Sequence, residues 1–136
     1  MADYTVVPGN VLASASASKA SGTAGVNITA GQTLAMDNSG LMVLYDANGA
    51  SPINVMKGIA LHGALVNQPI AFVTQDNLFA PGFSMVAVGD CVIGSQTPGG
   101  LCPDADKASG WYVTEVGRAI DLTHIKMRII AVGAVR

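Results

Sequence analysis

Clusters of glycine, proline, asparagine and aspartate interrupt this chain so often that no apolar run is left long enough for a packed helix. Pro8-Gly9-Asn10, Asp37-Asn38-Ser39-Gly40, Asp46-Ala47-Asn48-Gly49 and Pro98-Gly99-Gly100 are all turn sequences. Glycine adopts positive φ without strain, and asparagine and aspartate close turns with their own side chains. Asn-Gly in particular favours a tight hairpin. No window longer than about ten residues keeps a 3.6-residue apolar period. The spacing instead predicts strands over residues 4–7, 27–34, 41–45, 54–62, 68–74, 85–93, 111–120 and 122–132. In the last of these, Ile125, Met127 and Ile129 alternate with Lys126 and Arg128, which gives one buried and one wet face. A short helix fits only near residues 104–108 or 80–85. About eight short strands with regular turns imply an all-β fold, a small barrel or sandwich.

The turns also recur. Gly31-Gln32 returns as Gly89-Asp90, Gly40-Leu41 as Gly100-Leu101, Ala50-Ser51 as Ala108-Ser109, Val55 as Val113, and Gly58-Ile59-Ala60 as Gly117-Arg118-Ala119. The offset stays near 58–60 residues throughout. Two related β units, approximately residues 31–75 and 89–133, are therefore expected to pack on one core with an internal two-fold repeat. Two copies are too few for a solenoid.

The first 25 residues have a different character. After Tyr4-Thr5-Val6-Val7 comes an alternation of alanine and serine through Ser18, then Lys19-Ala20-Ser21-Gly22-Thr23-Ala24-Gly25. Side chains this small bury little area against the entropy of ordering. Residues 1–25 read as a flexible N-terminal arm, and 26–136 as a single β domain.

Composition narrows the function. The chain of 136 residues carries 7 basic and 9 acidic side chains, a formal net charge of −2. A nucleic-acid partner needs a basic face, so that class is not expected. No apolar stretch approaches the ~18 residues of a membrane helix, and the N-terminus carries no signal-peptide pattern, so no membrane partner is expected and the chain is expected to be made in the cytoplasm. A compact chain of this mass exposes roughly 6,600 Å², or about one charge per 400 Å², well below the charge density of small soluble domains. So thin a charge cover points to a surface that meets other protein: an oligomer or a lattice-bound protein.

No motif carries chemistry. His62 and His124 are far apart and not in ligand spacing with Cys91 or Cys102, which are themselves eleven apart, so no metal is expected. Cys91 reads as a small core residue in a strand and Cys102 as a loop thiol with no electropositive neighbour to activate it. Asp37, Asp46, Asp76, Asp90, Asp104 and Asp106 read as turn residues, and a calcium loop at Asp104 and Asp106 lacks its glycine hinge and further oxygens. There is no G-x-S-x-G elbow and no phosphate loop. The chain is expected to be no enzyme and to hold no cofactor.

Residues 58–62 (GIALH) and 68–74 (QPIAFVT), then 99–119 (GGLCPDADKASGWYVTEVGRA) and 125–129 (IKMRI), carry a resemblance. Together they are similar to the head decoration, or capsid cement, proteins of tailed bacteriophages, over roughly residues 31–130. Arg118, Ile120 and Cys102 depart mildly from that family's pattern. The resemblance implies a β-rich virion protein on the outer surface of the phage head that clamps neighbouring major capsid subunits. It also implies a homo-oligomer, with a trimer at threefold junctions preferred and a dimer at two-fold axes as the alternative. Tyr4, Val6, Val7 and Leu12 are the candidate capsid contacts, delivered by the arm as an added strand. An alternative is a tail or fibre-associated β module contacting host glycans, for which Trp111 and Tyr112 are the only adjacent aromatic pair.

Overall fold

Ten strands account for the architecture of the computed structural model, which describes residues 3–134. Met1 and Ala2 of the expected arm, and Val135 and Arg136 of the expected domain, lie outside the described residues. The strands are β1 (Val11–Leu12), β2 (Ser18–Thr23), β3 (Thr33–Met36), β4 (Met42–Leu44), β5 (Gly58–Ala60), β6 (Pro69–Pro81), β7 (Cys91–Gly94), β8 (Leu101–Pro103), β9 (Tyr112–Ala119) and β10 (Ile125–Ala134). The only helical elements described are two single 3-10 turns, Pro8–Asn10 and Asp104–Asp106. The fold is all-β, and its antiparallel sheet curls into a half-barrel.

The strand order is β4-β3-β5-β6-β10-β9-β7-β8, with β1 and β2 added on β6. This order is a palindrome. Each half runs hairpin, inner strand, long strand, and the two long strands β6 and β10 meet in the middle. The equivalence reaches individual hydrogen bonds. Gly31 N donates to Ala60 O and Gly89 N to Ala119 O, both at 2.8 Å; Ala60 N donates to Gln32 O and Ala119 N to Asp90 O, both at 2.9 Å. The Gln32 and Asp90 side chains accept from Thr29 N and Ala87 N, closing the same turn in each half. Gly31 and Gly89 have φ of 90° and 91°, a conformation that costs a residue with Cβ on the order of 1–2 kcal/mol. Positive φ is why glycine recurs at both.

Burial follows from the curl. Tyr45, Ile59, Val73, Phe79, Val92, Ile93, Ile125 and Met127 are buried in the main core. Leu34, Met42, Ala60, Ile70 and Phe72 form a second cluster, closed by Ala24 and Ile28. Adjacent residues such as Ile59 and Ala60 are thus buried in different clusters, which explains why β5 is apolar without alternation. Fully burying side chains of this size is worth ~1.5–3 kcal/mol each.

Several elements differ from expectation. Residues 4–7 are not a strand. The strands expected over 27–34, 54–62 and 85–93 are cut to β3, β5 and β7, because the turn hydrogen bonds at Thr29, Gly31, Val55, Ala87 and Gly89 take their flanks. β6 runs seven residues past Thr74, since its continuation pairs with β10 and β1. β8 was not anticipated, and it contains Cys102, which is buried in a strand rather than placed in a loop. β2 was not anticipated either: Ser18–Thr23 pairs along β6 from Gln75 to Pro69. Backbone pairing needs no large side chains, so a small-residue segment finds a place on the sheet that its composition does not advertise.

Candidate interaction surface

With no metal-binding cluster among the described residues, the candidate surface is the N-terminal segment and its seat. Tyr4 N donates to Leu101 O at 2.9 Å, which covers the outer edge of β8, and the Tyr4 ring stacks on Phe83 with centroids 4.1 Å apart. Such a pair contributes about 0.5–1.5 kcal/mol beyond its area. Val6 packs against the open faces of Gly31 and Gly82, where any side chain would meet its Cγ1. Val7 N donates to Gly82 O at 2.8 Å, but the Val7 side chain is half exposed. Val11 is buried and Leu12, next to it in β1, is 65% exposed. Of the four candidate contacts, Tyr4 and Val6 therefore face the body, and Val7 and Leu12 face out. A cleft of about 520 Å³ lies beside this segment, lined by Tyr4, Val7, Asn10, Phe83, Ser84 and His124 among others.

One carboxylate anchors the middle of the segment. Asp76, buried within β6, accepts from Ser14 N at 2.7 Å, from the Ser14 hydroxyl, and from Leu78 N at 3.0 Å. Burial pushes its pKa up, but the Ser14 and Leu78 hydrogen bonds, with Lys19 nearby, outweigh burial and hold it below the ordinary 3.8. The expectation of a turn residue is corrected here. Neither Asp76, whose partner is 62 residues away, nor Phe83, the platform for Tyr4, carries a local sequence signal of its role.

The remaining titratable groups do structural work. Asp37, Asp46 and Asp90 accept backbone N–H groups of their own turns. The Asp121 carboxylate, fully exposed, is held below its ordinary range by the Thr123 N–H and by His124, whose Nδ1 lies 3.0 Å away. His62 Nε2 accepts from Ala71 N. Asp104 pairs with Lys107 across an exposed turn. Trp111 is buried with its indole N–H on Gln96, while Tyr112 is exposed, so the adjacent aromatics do not share a face open to solvent.

Both thiols are quiet. Burial, with Glu115 adding, pushes Cys91 up to about 11, and burial with Asp3 pushes Cys102 up to about 12. At pH 8 their thiolate fractions are on the order of one in a thousand or less. Ellman's reagent is expected to modify neither within minutes on the folded protein and both after denaturation. Rapid reaction of either native thiol would contradict this reading.

No helix among the described residues is long and apolar enough to cross a membrane. Comparison with protein-family models and with curated proteins returns no match.

Proposed function

We propose that this protein is a non-enzymatic virion component that binds the outside of a tailed-phage head and cements neighbouring major capsid subunits. The observation that supports the reading is the N-terminal segment. It lies along the sheet through backbone pairs and one carboxylate, and it turns Val7 and Leu12 outward. Val7 and Leu12 flank the Pro8–Asn10 turn and offer two apolar anchors to a capsid subunit, and the extended backbone of β1 could be extended by strand addition. Cementing needs no reaction. A protein seated at a junction adds interface area there, with ~800 Å² per partner typical of specific contacts. Many symmetry-related copies act together, so modest individual affinity suffices.

The structure alters how the segment is best tested. Removing residues 1–25 also removes Val11 and Ala24, which are buried in the two clusters. Val7→Asp with Leu12→Asp changes only outward side chains. Desolvating a pair of such side chains contributes several kcal/mol, so co-sedimentation with heads built from the cognate major capsid protein should fall at least tenfold. The denaturation midpoint should stay within experimental error, and Leu65→Asp, exposed in the loop at the opposite end of β6 from β1, should decorate normally. Undiminished decoration by the double variant would sink the proposed role of the segment.

A further inference from the structure

Charge is not spread evenly over this molecule. Of the 7 basic side chains, four gather on β9, β10 and the cleft beside them. Lys126 and Arg128 alternate with buried Ile125 and Met127, so both project from the outward face of β10. Arg118 is exposed on β9, directly opposite Lys126. Lys57, just before β5, lines a cleft of about 470 Å³ together with Arg128, Thr74 and Gln75, and Ile129 and Ile130 give it an apolar wall.

The acids lie elsewhere. Asp37, Asp46, Asp90 and Asp121 close turns with their carboxylates. Asp76 is buried, Asp3 accepts from the Ser95 hydroxyl at 2.7 Å, and Asp104 pairs with Lys107. Glu115 is the one acid of β9 and β10, and it pairs with Arg118 at 3.3 Å. The side chains of Lys57, Lys126 and Arg128 form no hydrogen bond or ion pair among the described residues.

Neither stability nor edge protection accounts for this arrangement. Like charges directly opposite on paired strands cost stability, and Lys126 faces Arg118. Lysine on a sheet edge discourages unwanted pairing, but these positions are interior. β10 is flanked at Lys126 by β6 and β9, and Arg118 lies between β10 and Cys91 of β7. Solubility is served best by both signs interspersed. A single-sign face on a chain of net charge −2 is instead the form that steers and selects one kind of partner.

We infer that the outward face of β9 and β10, with the adjoining cleft, docks an acidic protein segment. Its carboxylates meet Lys126, Arg128 and Lys57, and its apolar neighbours meet Ile129 and Ile130. Charge complementarity names the occupant: a guanidinium grips a carboxylate with two parallel hydrogen bonds, and the lysines add point charges. Nucleic acid is the poorer fit. A duplex offers one charge per ~1.7 Å, far more than this face can meet, and no aromatic side chain lines the cleft for a base to stack on. The inference goes beyond the proposed function, because it fixes the chemistry of a partner surface whatever protein carries it.

The test uses the full chain with poly-L-glutamate at pH 7 and needs no phage head, so its failure is distinct from failure of decoration. A net charge of −2 alone repels a polyanion, so binding requires the segregated face. The parent should bind at low ionic strength and weaken steeply as salt rises. Lys126→Glu should weaken binding at least tenfold. It also places an opposite charge across from Arg118, so the denaturation midpoint should hold or rise. Arg128→Gln and Lys57→Gln, both at exposed side chains, should each weaken binding without a change of fold. Lys107→Glu makes the same change of net charge away from this face and should bind as the parent does. No binding by the parent overturns the inference. So does equal loss from Lys107→Glu and Lys126→Glu, or binding that survives Lys126→Glu combined with Arg128→Gln. Tighter binding of a DNA duplex than of poly-L-glutamate would also overturn it, by making the partner a nucleic acid.

Discussion

Gly58→Ala and Gly117→Ala should each destabilise the protein by about 3 kcal/mol or more, at the upper end of what overpacking a core costs. The two glycines are equivalents in the internal repeat, and each faces a backbone carbonyl that cannot step aside. A Cβ on Gly58 would lie 2.5 Å from Val73 O, and one on Gly117 would lie 2.6 Å from Lys126 O. Both carbonyls belong to the long strand of the same half, next to Phe72 in one case and Ile125 in the other. Relief would require β5 to separate from β6, or β9 from β10, at the centre of the sheet. Urea denaturation should show a large fall in midpoint for both variants, with losses agreeing within about 1 kcal/mol. Gly9→Ala, where no atom lies within 4 Å, should cost well under 1 kcal/mol. A near-neutral Gly117→Ala would mean that the two halves are not built around the same close approach.

The two halves were legible in the sequence for this reason. Positive φ at Gly31 and Gly89 strongly favours glycine, and the close approaches at Gly58 and Gly117 leave no room for a Cβ, so these positions match between the halves where ordinary core positions differ. Leu34 and Val92, or Met42 and Leu101, occupy equivalent places and share only their apolarity. The all-β class was legible from turn spacing alone. What escaped was held by the backbone or by a single polar contact. β2 is made of Ser18, Lys19, Ala20, Ser21, Gly22 and Thr23, and its place on β6 comes from N–H and C=O groups that every sequence possesses. Asp76 looked like the other turn aspartates because its partner, Ser14, is 62 residues away. Long-range partners leave no local trace. Of the four candidate contacts, only their presence on one segment could be read. Which of them face inward depends on Phe83, Gly31 and Gly82, and nothing local links those residues to the first turn of the chain.

The same carboxylate makes the N-terminal segment separable from the body by substitution and by acid. Asp76→Ala leaves the Ser14 N–H, the Ser14 hydroxyl and the Leu78 N–H without their acceptor. Hydrogen bonds to a charged group contribute about 1.5–3 kcal/mol each net of water, and water entering the vacated site recovers part of that, so a loss of about 3 kcal/mol is expected. The loss should be local, because Asp76 links Ser14 to β6, whereas the cores around Phe79 and Met127 do not use it. Trypsin cleavage after Lys19, in β2, should accelerate at least tenfold, while sites in the body such as Arg118 stay protected. Ser14→Ala keeps the backbone donor and should have a smaller effect, about 1 kcal/mol. Acid should act in the same direction. The folded pKa of Asp76 lies below its ordinary 3.8, so its contribution is fully present above that pH and is lost as pH falls through the folded value. The protection of the β2 amides, as exchange relative to the unstructured rate at the same pH, should therefore fall below about pH 3.8 in the parent chain, and this pH dependence should vanish in Asp76→Ala. If the variant retains parent-like protection at Lys19, the carboxylate is not the anchor. If all sites become cleavable together, the segment and the body unfold as one unit, and a segment that cannot leave the sheet alone cannot pass to a capsid subunit as an added strand.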